Sequence, residues 1–582
     1  MHVKAALPET FFPFFMDTIY DFAKPKTIEA LLIKERLKMC KRNRKHNEKC
    51  RNKNVENPPK HFNFSDHLNE PTHSMSVRIG INFIMPPRGS WARPNKNHRE
   101  KAENDWQEQM TQSLKSTLKR DRRILNSIDK DSKGLPILEG RYKRLNYLVR
   151  LDDYIEKIRN IFRGNKLKFS KPDIVYILKK KTDKYWEYRP LAIFNHLDDK
   201  IILAIVSRYL AEKLNKHLHE NILSYRPKRY FLNELIATDF NTGIKTIGEY
   251  RARMKDANIY VADCDIQKFY DTINHDIVKE CFNRILDKTG LTDEAKRQVN
   301  MVLDAYLNSY DFYNDAFFKQ INKRVPNDVE KKVKWAKEED FVKCYGSKEK
   351  FEQARDSKKI GVPQGGALSL LIANVVLNDI DSHVINKNDK QLFFSRFCDD
   401  MVLMHTNLDA CRSAIVTYTN ELNAHYLVYH KFSNISDLKN GNLTLKRFWQ
   451  EKSHMPFLWG SGPNGHNWVG FLGYEMNRKG QIRLRLSNVE KFEVHIRSKF
   501  HRLDRRFKKG FLNDNQRKKF IREIEKARAR TDREVLYKSY TSINDNIFIR
   551  HQKDRINYCR KLFLIKFLEK RKNQILSKLS LS

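Results

Sequence analysis

Two adjacent carboxylates, Asp399 and Asp400, lie in the run SRFCDDMVLM, Ser395 to Met404. Phe397 precedes them and Met401, Val402 and Leu403 follow, so the flanks read as two short buried strands with the aspartates at the turn. Carboxylates held on one tight turn repel each other, and the pair is costly unless solvent or a cation neutralises it. An isolated Asp-Asp pair is ordinarily a solvated turn. The chemistry worth testing is a hard divalent cation with oxygen ligands, such as Mg²⁺. A third carboxylate, Asp265, stands in YVADCDIQKFYDTINHDIV at the expected end of a buried strand that opens with Tyr260, Val261 and Ala262. From there it can point off the sheet edge toward the Asp399/Asp400 turn. Asp263, on the same strand, is expected to face elsewhere, and Asp271 to cap or pair locally.

The elements that must position these groups follow from patterning. DIVYILKKK (Asp173 to Lys181) and YRPLAIF (Tyr188 to Phe194) read as a hairpin with a basic tip. Arg144 to Phe162, Leu197 to Leu218 and Leu408 to Tyr426 carry apolar residues at helical spacing. GVPQGGALSLLIANVVLNDID is a Gly/Pro/Gln loop opening an apolar helix, and Gly361, Gly365 and Gly366 let the backbone approach a ligand closely. NWVGFLGYEMNRKGQIRLRLS reads as a β-hairpin with a Lys-Gly turn. Nearer the N-terminus, Ile28 to Leu37 is an amphipathic helix running into a basic stretch. Ser76 to Met85 alternates like a strand, and Lys101 to Ile128 is a polar, basic helix.

Bulk composition narrows the partners. The 582 residues carry 112 Lys plus Arg against 71 Asp plus Glu, a net charge of +41. A field of that sign and size favours a polyanion. Nucleic acid is favoured over an anionic membrane because 35 Phe and 24 Tyr offer stacking surfaces for bases. At 40% hydrophobic residues the chain has material for real cores, and no run is long and apolar enough to span a bilayer. Pro8, Glu9, Pro13 and Asp17 break any signal-peptide core. The eight cysteines are scattered without a CxxC pair, which reads as reduced thiols in a cytoplasmic protein. Cys40, His46, Cys50 and His61 match no common zinc spacing.

Taken in order, these segments resemble the bacterial reverse transcriptases of the group II intron, retron and defence-associated "unknown group" types. YRPLAIF resembles the fingers motif, ADCDIQKFYDTINHD the first catalytic palm motif, GVPQGGALSLLIANVVLNDID the PQG motif and RFCDDMVL the second catalytic motif. The segment ending in His430 and Lys431 and the FLG hairpin resemble the next two. The likeness covers roughly Arg144 to Ser582. Phe397 and Cys398 stand where the family has Tyr-Ala, Leu370 replaces a common proline, and the stretch before the PQG loop is unusually long.

The resemblance implies an α+β right-hand polymerase. Its expected parts are an N-terminal extension (1–140, mostly helical), fingers (141–257), palm (258–487) and a helical thumb (488–582). The palm would hold an insertion at about 308–359 and a primer-grip hairpin at 467–487. The implied activity is RNA-directed DNA synthesis by two-metal nucleotidyl transfer, with two Mg²⁺ (Mn²⁺ as the alternative) on Asp265, Asp399, Asp400 and the carbonyl of Ile266. Lys179, Lys181 and Arg189 would clamp the triphosphate, Tyr270 would lie beneath the sugar, and Gln364 and Gly365 would pack near the nascent base pair. Lys431 would protonate the leaving pyrophosphate, and Phe471, Leu472 and Gly473 would form the primer grip. Implied partners are an RNA template, expected to be a dedicated non-coding RNA, the DNA product or primer and dNTPs. No membrane is implied; a second copy of the chain or a partner protein is compatible. Antiphage defence is the implied setting. The rival readings are an intron-type RNA-binding or maturase protein and a template-independent or protein-primed DNA polymerase of the same fold.

Overall fold

β-Branched and aromatic runs become strands, and the longer 3.6-periodic segments become helices packed on them. The computed structural model of the chain describes residues 18–51, 81, 83–85, 103–130, 145–181, 186–224, 226, 229–231, 234–236, 240–317, 333–334, 338–385, 388–435, 448, 451–461 and 465–485. The expected thumb at 488–582 lies outside them. The strands in chain order are β1 (Asp173–Lys181), β2 (Trp186–Ile193), β3 (Arg229–Phe231), β4 (Glu234–Ile236), β5 (Tyr260–Cys264), β6 (Val333–Lys334), β7 (Phe393–Phe397), β8 (Asp400–His405), β9 (Phe432–Ser433), β10 (Ser453–Trp459), β11 (Gly465–His466), β12 (Trp468–Phe471), β13 (Tyr474–Asn477) and β14 (Ile482–Leu484).

The chain divides into two compact units. The first comprises Met1–Leu218, Lys268–Val376 and His425–Leu427. In it β1 and β2 form the expected antiparallel hairpin, Asp173 opposite Ile193, and β6 adds in parallel beside β2. The helices Pro25–Arg51, Tyr147–Ile161 and Leu197–Leu214 bury Ile28, Leu32, Leu148, Leu151, Ile205 and Val206. Ser76 to Met85 does not extend as a strand where it is described: Met85 N–H donates to Ile81 O at 2.8 Å, closing a helical turn. The weakly patterned stretch 308–359 holds its own aromatic cluster. Phe312 and Tyr313 pack with Phe341 and Phe351 at ring separations of 5.5 to 6.0 Å.

The second unit comprises His219–Gln267, Leu377–Ala424 and Val428–Ser582. Its main sheet runs β11-β10-β5-β8-β7, with β9 beside β10. One core cluster joins Val261, Val402, Met404, Phe457 and Trp459 of this sheet to Ile244, Ile247 and Tyr250 of the helix Phe240–Arg253. Val469, Phe471, Tyr474 and Met476 of the separate β12-β13-β14 sheet close it.

Candidate active site

β5 and β8 pair antiparallel, with Asp263 opposite Val402 and Cys264 opposite Met401. One further step of that register sets Asp265 against Asp400. β7 and β8 pair with Phe397 opposite Asp400, leaving Cys398 and Asp399 as a two-residue turn. Cys398 takes φ +56°, which a non-glycine residue adopts only when its surroundings hold it. The hold is visible. Arg396 and Asp381 form an ion pair at 2.7 Å with both side chains 0% exposed, and Arg396 Nη1 donates to Cys398 O at 2.9 Å. A buried guanidinium held on one oxygen of Asp381, Oδ2, thus fixes the main chain that carries Asp399. Asp265 is fixed by its backbone: its N–H donates to Ser453 Oγ at 3.0 Å, and its carbonyl accepts from His430 N at 2.9 Å. Ile266, buried, follows it and bridges to Tyr429. Asp263, opposite Val402, pairs with His454 at 2.7 Å.

Three carboxylates at one sheet edge leave a negative field. Enclosure by neighbouring atoms, then repulsion from Asp399 and Asp265, pushes the Asp400 carboxyl up to about 7. Asp400 keeps an exposed edge, so the repulsion is the part that a bound cation can cancel. A cation is already in place: Lys452 Nζ lies 2.5 Å from Asp265 Oδ2 and 3.2 Å from His430 Nε2. Lys452 and Arg485 both ease the charge at Asp400. An oxygen-only donor set, like-charged, open to solvent and drawing an ammonium, fits a hard divalent ion. Lys452 was not singled out from the sequence. Its pairing with Asp265 bridges 187 positions, and the only signal was a lysine at the head of the alternating run SHMPFLW. Lys431 is exposed beside His430, and the ammonium that meets the carboxylates is that of Lys452.

The remaining expected residues, apart from the hairpin, lie in the first unit. Lys179 and Arg189 are exposed on β1 and β2, and Lys179 pairs with Glu187 at 2.7 Å. Lys181 ends β1, with its side chain outside the described residues. Tyr270 packs edge-on against Phe269, with ring centroids 5.2 Å apart, and its carbonyl accepts from Val362 N at 2.8 Å. The PQG loop is bound into this framework. Gln364 O accepts from Ala192 N of β2 at 2.8 Å, Tyr306 and Ser369 hydroxyls meet at 2.8 Å, and His275 Nε2 donates to Gly361 O at 2.6 Å. Gly366 is required there, since a Cβ would come within 1.8 Å of the Tyr306 hydroxyl. Asp271, buried, accepts from Gln364 Nε2 at 2.6 Å.

Residues 177–431 match the family model described as reverse transcriptase (RNA-dependent DNA polymerase). The chain carries a reverse transcriptase domain. Such a domain is that of an RNA-directed DNA polymerase, a nucleotidyltransferase, and typically uses divalent metal ions. A right-hand polymerase fold of α+β class accords with the helices and sheets described. The matched stretch contains Arg189, Asp265, Tyr270, Gln364, Asp399, Asp400 and Lys431; Lys452 and the FLG hairpin lie beyond it. No curated protein matches the sequence.

Among solved structures, the chain is similar to telomerases from two Candida species. Telomerase from Candida albicans, in complex with a TWJ fragment of telomeric RNA, is 12% identical with a TM-score of 0.28, over 55% of this chain and 46% of that one. Telomerase from Candida tropicalis, also with a TWJ fragment, is 12% identical with a TM-score of 0.35, over 75% and 58%. The chain spans about half the length of these telomerases, a likeness too slight to carry the fold. Beyond the domain match, β12 and β13 pair with Phe471 opposite Tyr474, and the turn between them is Leu472 (φ +51°) and Gly473 (φ +87°). Phe471 is buried in the core cluster and Leu472 packs at its edge, so the expected grip residues form a rigid corner.

Proposed function

We propose that the protein is a reverse transcriptase that makes cDNA on a dedicated non-coding RNA. The observation that supports this best is the meeting of Asp265, Asp399 and Asp400 at one sheet edge, with Asp400 pushed up to about 7 and Lys452 drawn onto Asp265. Two divalent ions, Mg²⁺ or Mn²⁺, when bound would lower the pKa of the primer 3′-hydroxyl and carry charge developing on the pyrophosphate. The three aspartates and the carbonyl of Ile266 would hold them. Arg189, Lys179 and Lys181 grip the triphosphate from β1 and β2. Tyr270 lies beneath the sugar and excludes a 2′-hydroxyl, while Gln364 and Gly365 line the nascent pair. Lys452, already at the carboxylates, joins Lys431 as a proton donor to the departing pyrophosphate. Phe471, Leu472 and Gly473 set the primer end.

The net charge of +41 supports RNA and DNA as partners. Antiphage defence in a bacterial cytoplasm is the setting we favour, by likeness to the stand-alone defence-associated enzymes. The test is to sequence the nucleic acid made by the purified chain with its co-purifying RNA and dNTPs. A discrete cDNA complementary to that RNA is expected. Untemplated or protein-linked DNA, or RNA binding with no DNA at all, would overturn the reading in favour of the protein-primed or the maturase alternative.

A further inference from the structure

Three consecutive residues at the head of β10 each bond to the strand end that carries Asp265. Lys452 Nζ lies 2.5 Å from Asp265 Oδ2, Asp265 N–H donates to Ser453 Oγ at 3.0 Å, and His454 Nδ1 meets Asp263 Oδ1 at 2.7 Å. Ser453 and His454 are buried, and the pairing of β10 with β5 sets His454 opposite Asp263. Lys452 differs from both. Its side chain is 52% exposed, so the ammonium can leave while the main chain behind it stays fixed. A second acceptor lies close at hand. Lys452 Nζ is 3.2 Å from His430 Nε2, and an ammonium only donates, so that nitrogen accepts. His430 N–H donates to Asp265 O at 2.9 Å, which ties the imidazole to the same strand end, with Nε2 4.0 Å from Asp265 Oδ2. The carboxylate end of this pair is the one that metal chemistry needs. A divalent ion on Asp265 takes the oxygens of that carboxylate, and an ammonium left on Oδ2 stands within a few ångströms of the ion and repels it.

We propose that Lys452 is a built-in competitor of the metal: it holds Asp265 Oδ2 until a divalent ion displaces it, and so sets the ion concentration at which the site fills. The inference rests on the reading of Asp265, Asp399 and Asp400 as metal ligands, and it concerns ion binding rather than the proton transfer assigned to Lys452 above. Displacement breaks the charge-assisted hydrogen bond between Lys452 and Asp265 and leaves a positive neighbour beside the ion. His430 Nε2 keeps that neighbour near. A neutral side chain at 452 removes both costs, so the same three aspartates bind the ion more tightly. Arginine keeps the charge and the donors, and with them the competition.

The test is Mn²⁺ binding to the full chain, read as loss of the free-ion EPR signal. The Asp265→Asn/Asp399→Asn variant is the blank, so that ions held elsewhere, on co-purifying RNA included, drop out. Lys452→Met is expected to lower the apparent Kd for Mn²⁺ about fivefold, the scale of an ion pair at a half-exposed site, while Lys452→Arg stays within about twofold of the unmodified chain. Lys452→Gln is the second neutral variant should Lys452→Met fail to fold, and it shifts the Kd in the same direction. Unchanged or weaker Mn²⁺ binding in the neutral variants, or an equal gain in Lys452→Arg, would overturn the proposal while leaving the aspartates as ligands. No Mn²⁺ binding beyond the blank, by the unmodified chain or by any of the variants at 452, would overturn the ligand reading as well.

Discussion

At Asp400 enclosure and repulsion act in the same direction, and both favour the neutral acid until a cation arrives. Removing the charge should therefore stabilise the metal-free chain while destroying the site. Asp400→Asn is expected to raise the Tm in chelator by about 1 °C, the scale of roughly 1 kcal/mol in a chain this large. Mg²⁺ or Mn²⁺ should raise the Tm of the unmodified chain and move that of the variant much less. Thermal melts with chelator and with each metal check this, and a lower Tm for the variant in chelator would count against it. The three aspartates were legible in the sequence because each interrupts an apolar run at the point where a strand must end. Lys452 was not, because an ion pair between residues 187 apart exists only once β10 has paired with β5. For Asp263 the period of two could not decide the matter, because it returns residues two apart to one face only while a strand continues; its partner in the structure is His454.

Among the elements, the hairpins at 173–193 and 393–405 were readable because short apolar runs bounded by polar turns mark them. The FLG hairpin proved to be two turns of a three-stranded sheet, the second pairing Met476 with Ile482. The stretch 76–85 misled because a short β-branched run fits a buried helical turn equally well. The region 308–359 hid its packing in irregularly spaced aromatics whose partners lie tens of residues away. The segment from Asp311 to Ile360 also touches the loop that matters: Phe312 N–H donates to Ile360 O at 2.7 Å. The junction between that loop and the helix His275–Asp287 carries a pH signature. Burial holds the His275 imidazole neutral, down to about 4. The unfolded chain binds that proton near pH 6.5 and the folded chain does not. The stability tied to His275 is complete above about pH 6.5 and is lost as the pH falls toward 4. His275→Gln, which keeps a donor for Gly361 O, is expected to flatten that fall. Urea melts at pH 7.5 and 4.5 check it, and equal pH dependence in both chains would exclude the role.

For the whole molecule, the decisive property is charge. No helix among the described residues is long and apolar enough to cross a membrane, and the excess of 41 positive charges calls for a polyanion. Binding to RNA should therefore be dominated by counterion release, with affinity falling about 10³-fold or more between 50 and 200 mM salt if six or more phosphates are engaged. Fluorescence anisotropy with a labelled RNA measures the slope; a flat salt dependence would mean that the basic residues do not track the backbone. This property was visible in the composition alone, whereas the partition into two compact units was not, because each unit is assembled from segments far apart in the chain.

The account stands most directly on primer extension with an RNA template, dNTPs and Mg²⁺, run beside RNA binding on the same preparations. Asp265→Ala and Asp399→Ala are each expected to lose at least about 10³-fold in incorporation, as removal of a metal-holding carboxylate implies, with RNA affinity kept within about threefold. DNA synthesis by the Asp265→Ala/Asp399→Ala double variant at the rate of the unmodified chain would contradict it.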